Sequence, residues 1–197
     1  MKHKTLAAAI AMISMTGIAV AAAAPASARP LEHDHWTDSG SVIAQVEDPQ
    51  FCAGIVDFPV LHDWNAKGMF LLIRHGDGLA YGGGSIRATD VWTNTLNGKN
   101  LTITVAGQDR DHKVIDNGDG TLTIEVAFLG VQKVYGPDGT RLFMDTGITK
   151  AEVLIDNGGT PADPSDDEFI SFEVTASHGL SDTAERDFCA DLVTFIG

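Results

Sequence analysis

The chain has 197 residues, 27 of them acidic and 13 basic, for a net charge of −14. That length suits one domain with its own hydrophobic core. A surface this acidic repels phosphate backbones, so nucleic acid is not an expected partner.

The first element is a leader. Met1-Lys2-His3-Lys4 is basic, Leu6 to Ala24 is apolar and uncharged, Pro25 breaks the run, and Ala26-Ser27-Ala28 offers the small-x-small pattern of a cleavage site. This is the plan of a secretory signal peptide, residues 1–28. The alternative is a retained membrane anchor, but the run is mostly alanine and no stop-transfer charges follow it. Cleavage leaves no membrane span, places the chain outside the cell, and takes the charge from −14 to −16 by removing Lys2 and Lys4.

Residues 29–50 read as a flexible acidic lead, with one optional strand over 41–47, and the packed domain is expected over 51–197. From Phe51 onward the hydrophobic period is two. Val56, Phe58, Val60 and Trp64 share one face; Leu101, Ile103 and Val105 alternate with threonines. The runs from Leu122 to Phe128 and from Ile170 to Val174 behave the same way. One apolar and one polar face per run is the pattern of antiparallel sheet. Met69 to Ile73 is apolar throughout.

Turn sequences separate these runs: Asn65-Ala66-Lys67-Gly68, Gly76-Asp77-Gly78, Asn97-Gly98, Asn117-Gly118-Asp119-Gly120, Gly136-Pro137-Asp138-Gly139 and Asn157-Gly158-Gly159. Short strands and regular turns predict an all-β fold, an antiparallel barrel of about 8–10 strands. Gly82-Gly83-Gly84 is expected to mark a bulge or bend, with Tyr81, Arg87 and Trp92 near any ligand that approaches it. A short C-terminal helix follows, capped by Asp182 with Glu185 three residues on, and Ala184, Phe188, Leu192 and Phe195 on one face.

The two cysteines, Cys52 and Cys189, are expected to join in an oxidising compartment. They would pin the C-terminal helix to the start of the first core strand. Their spacing fits neither a redox motif nor a metal site.

The loop from Asp156 to Glu168 is dense in oxygen atoms and stiffened by Pro161 and Pro164. Asp156, Asp163, Asp166 and Asp167 are the candidate metal ligands, for Ca²⁺. The spacing differs from an EF-hand, and the alternative is a solvated acidic loop. No other cofactor is implied. His33 and His35 could hold a transition metal if a strand set both rings on one side. His62 is expected beside Trp64 as a hydrogen-bonded structural histidine. Ser177-His178 does not form a nucleophile–base pair, because strand neighbours point to opposite faces.

Phe51-Cys52-Ala53-Gly54, Phe58-Pro59-Val60, Asp119-Gly120-Thr121, Tyr135-Gly136-Pro137-Asp138-Gly139, Gly158-Gly159-Thr160-Pro161, Asp166-Asp167-Glu168 and Arg186-Asp187-Phe188-Cys189 carry a resemblance to a group of small secreted actinobacterial proteins. The resemblance implies an exported, barrel-like domain with its two cysteines paired, and it assigns no activity. No residue pattern marks a catalytic group. The reading is therefore a non-catalytic secreted barrel that binds a small ligand or a cell-surface partner. The alternatives are an enzyme of hydrolase or cyclase type with its site inside the barrel, and a calcium-stabilised envelope or adhesion protein.

Overall fold

The computed structural model describes residues 30–197, so the leader read over 1–28 lies outside the described residues. Seven strands and two helices follow one another as β1 (Glu32–Ile43), α1 (Ala44–Glu47), β2 (Val60–Arg74), β3 (Ala80–Asn94), β4 (Asn100–Asp116), β5 (Thr121–Tyr135), β6 (Arg141–Asp156), β7 (Glu168–Ser181) and α2 (Phe188–Ile196). The strands form one antiparallel sheet in chain order.

Four of the hairpins are closed by one device. Asp77, Asn97, Asp119 and Asp138 each accept, through the side chain, the backbone N–H two residues on, at 2.9–3.1 Å. The glycine between donor and acceptor, 78, 98, 120 or 139, takes a positive φ of 74–93°. An Asx turn with a glycine at its left-handed position is what reverses the chain here.

The sheet is all-β as expected, but it is not a closed barrel of 8–10 strands: there are seven strands, and β1 and β7 are its edges. The strand count falls because the runs on either side of Asn65-Ala66-Lys67-Gly68 are one strand. That expected turn lies inside β2, paired residue for residue with β1 and β3. Gly68 is covered by the Trp36 ring and Gly40 by the Trp64 ring, so neighbouring aromatics fill the space the glycines leave. Gly82–Gly84 carries no bulge against β2; the register breaks lie in β4, β6 and β7 instead. Two of them fall on the outer strand β7, where bulges blunt an open edge. The expected flexible lead is largely ordered, since β1 and α1 occupy residues 32–47.

Register and alternation assign each side chain to a face. Val60, Leu101 and Val134 share the face on which α2 packs, and with Leu192 and Ile196 they make the main core. We call this the helix face and its opposite the open face. Each of these fully buried aliphatic side chains contributes about 2 kcal/mol of burial. A smaller cluster of Val114, Leu122 and Ile155 lies toward the other end of the strands. The helix begins later than its sequence suggests. Asp187, not Asp182, is the N-cap, accepting from Ala190 N–H at 2.8 Å, while Asp182 accepts from Met144 N–H. Asn94 and Asn97 both donate to Ile196 O and anchor the helix end. Cys52 and Cys189 are joined, with Cα atoms 5.4 Å apart.

Candidate functional site

One register line crosses all seven strands: Trp36, Gly68, Ile86, Gly107, Gly130, Gly147, Gly179. The last four place glycine on every strand from β4 to β7. A Cβ at 147 would fall well inside contact distance of His178 O, and one at 179 would do the same to Thr146 O. Backbone fills the space side chains would need, and the helix face sinks into a trough of about 660 Å³ reaching from β3 to β7. Ile86, Val105 and Phe128 supply apolar walls; Asp109, Gln132 and Thr149 supply polar groups. Thr149 and Ser177 share a hydrogen bond at 3.3 Å. Asp145 is committed to Thr183, which donates both its N–H and its hydroxyl.

Charge divides between the faces. In the paired strand interiors Asp34, Asp38, Asp90, Asp109, Asp111 and Asp145 project from the helix face, whereas Lys67, Arg87, Arg110, Lys113, Lys133 and Lys150 project from the open face. The open-face acids Glu125, Glu152 and Glu173 stand in one row with Lys113, and Asp63 projects from the same face on β2. The ion pairs among the described residues are His62–Asp90, Lys113–Glu125 and Arg186–Asp191. Asp109 therefore meets its trough without a cation.

Asp111 shows what this costs. Burial pushes its carboxyl above the usual carboxylate range; the Gly82 N–H donated to it at 2.6 Å pulls the other way, and nearby Asp109 adds to the rise. A raised folded-state value favours the proton in the native protein, so the stability held below the ordinary value is lost as pH rises through the folded one. Asp111→Asn keeps an acceptor for Gly82 and cannot ionise. Its melting temperature is expected to exceed the native protein's at neutral pH and to converge on it near about pH 3; an equal difference at both pH values would refute the assignment.

The residues singled out from sequence divide. His62 is the structural histidine expected: Nε2 lies 2.9 Å from Asp90 Oδ1, and the ring stacks on Trp92 at 3.7 Å and lies 5.2 Å from Trp64. Phe51 stacks on the same Trp92. His33 and His35 lie on β1 with ring centroids 4.7 Å apart. Ser177 pairs across the sheet with Thr149 and His178 with Ile148, on opposite faces. Three of the four candidate calcium ligands are used locally, while the buried Asp167 Oδ1 has no hydrogen-bond partner among the described residues. Asp156 accepts from Gly158 N–H, Asp163 from Ser165 N–H and Asp166 from the Thr160 hydroxyl. Asp167 is pushed up by burial and then by Asp166 and Asp163. Among the described residues no three histidine, cysteine or acidic side chains converge as a metal ion requires. No described helix is long and apolar enough to cross a membrane.

The glycine line and the two-sided charge were not found from the sequence. Alternation within Gln108-Asp109-Arg110-Asp111 carried part of the signal, but only the register aligns it with the neighbouring strands. No protein family, curated protein or solved structure matches this chain.

Proposed function

We propose that this chain is an exported, non-catalytic binding module of the small secreted actinobacterial type, and that its helix-face trough holds a small ligand with an apolar body and a cationic or strongly hydrogen-donating group. The observation that carries the reading is the trough itself. It measures about 660 Å³, within the size range of small-molecule sites. Its floor is glycine on four successive strands, so a ligand can lie against backbone. Apolar walls next to a carboxylate without a counter-ion suit an aromatic or alkyl ammonium. In this reading the sheet is the wall of a barrel left open between β1 and β7, and the trough is its lumen. The disulfide supports export, because such bonds persist in oxidising compartments.

Phenethylammonium is a suitable probe. Calorimetric titration is expected to give one site on the native chain. Gly130→Leu should abolish it by filling the trough, since a Cβ at 130 meets nothing closer than Ala106 O at 3.6 Å. Asp109→Asn should weaken it about tenfold, the value of one charge-assisted contact. Unchanged binding in both variants would sink the proposal.

A further inference from the structure

The open face carries a second concavity, over β2, β3 and β4. Register lays it out in rows. Leu71, Gly83 and Arg110 form one row; Met69, Ser85 and Gln108 the next; Lys67, Arg87 and Ala106 the third. Ile73 and Tyr81 close the apolar end. The hollow around Gly83 is about 820 Å³, and a neighbouring one of about 420 Å³ shares Met69 and Ser85 with it and reaches Lys67 and Arg87. From Ile73 to Lys67 the strand advances about 20 Å, long enough for an extended chain of a dozen carbons.

Three observations set the occupant. The floor at one end is aliphatic, with Met69 and Leu71 half-buried and Ile73 exposed. The other end and one side hold Lys67, Arg87 and Arg110, all exposed and none in an ion pair among the described residues. No acid projects from the open face in these three rows. Unpaired cations are conspicuous in a chain with twice as many acids as bases. Most of the strand acids lie behind the sheet, and at physiological salt charges beyond about 8 Å are largely screened. The charged side chains projecting from these three rows are therefore all cationic, with Asp109 and Asp111 bordering the hollow from the helix face.

We infer that the open-face hollow binds a single-chain amphiphilic anion, its headgroup at Arg110 and its alkyl chain crossing Gly83 to Leu71 and Ile73, with Arg87 and Lys67 two rows further along the strands adding positive charge at longer range. Arg110 is the anchor, because its planar fork takes a carboxylate, sulfate or phosphate oxygen pair. Gly83 makes the room: a side chain there would stand between Leu71 and Arg110. The site is concave, so the ligand is the free amphiphile rather than a bilayer surface.

The test uses sodium dodecanoate below its micelle concentration, titrated calorimetrically into the chain. One equivalent is expected to bind. Arg110→Gln should weaken binding about tenfold and Arg110→Gln/Arg87→Gln further, with melting curves unchanged because both side chains are exposed. Dodecyltrimethylammonium should not displace dodecanoate. Gly130→Leu, which fills the other face, should leave dodecanoate binding intact, so this proposal and the helix-face reading fail separately. Equal dodecanoate affinity in the double variant, or displacement by the cationic amphiphile, would overturn the proposal. So would co-sedimentation with anionic phospholipid vesicles in place of binding to the monomer.

Discussion

Replacing Cys52 and Cys189 together by alanine is expected to lower the stability of the chain by about 5 kcal/mol. The bond links residues 137 apart, and closing so long a loop removes much of the unfolded chain's conformational freedom. The segment around Cys52 and the helix α2 meet at Phe51, Phe188 and the disulfide, and both reach the sheet through Trp92. Cys52 is itself in the buried cluster, so alanine also leaves unfilled space. Leu192 and Ile196 keep α2 docked in the folded state, and the loss should therefore appear as lower stability with the fold retained. Urea titration of the native and double-variant chains measures it, and coincident midpoints would contradict it.

The second large effect is expected at the glycine line. Gly147→Ala should cost about 3 kcal/mol or more, because the added methyl meets backbone that has no room to move. The atom it meets is His178 O on the neighbouring strand, with Gly179 Cα just behind. Gly130→Ala is the control on the same line. Its Cβ would stand 3.6 Å from Ala106 O and 3.8 Å from Gly107 Cα, an ordinary contact, and the change should stay within about 1 kcal/mol. Thermal melts of the two variants separate the cases. Equal, small losses would mean that the close approach between β6 and β7 does not hold the trough open.

Local chemistry was legible in the sequence; register was not. The Asp-Gly and Asn-Gly hairpins could be read because the residue that bonds the turn and the residue that bends it are adjacent. So could the alternation in β4 and β5, and the joining of the two cysteines. Asn65-Ala66-Lys67-Gly68 has the composition of a turn, yet the Trp36 ring packed over Gly68 holds it in β2, a contact between residues more than 30 positions apart. Residues 32–43 lack an apolar period because β1 is an edge strand, with most of its side chains in solvent, and such a strand leaves little hydrophobic trace. The helix start moved from Asp182 to Asp187 because Asp182 is engaged with Met144 N–H. The glycines at 107, 130, 147 and 179 are unremarkable one at a time. They become a trough floor only when four strands are set side by side, and the same alignment sorts Asp109 and Arg110 onto faces of opposite charge.

The central claim is that the two faces of one sheet carry sites of opposite charge preference. Amide chemical-shift mapping by NMR, with phenethylammonium and dodecanoate titrated separately into the isotope-labelled chain, tests it most directly. The expected result is two disjoint footprints. The amine should move the amides of Gly107, Gly130 and Gly147, and the carboxylate those of Leu71, Gly83 and Arg110. Both probes moving one shared set of amides, or neither moving any, would contradict it.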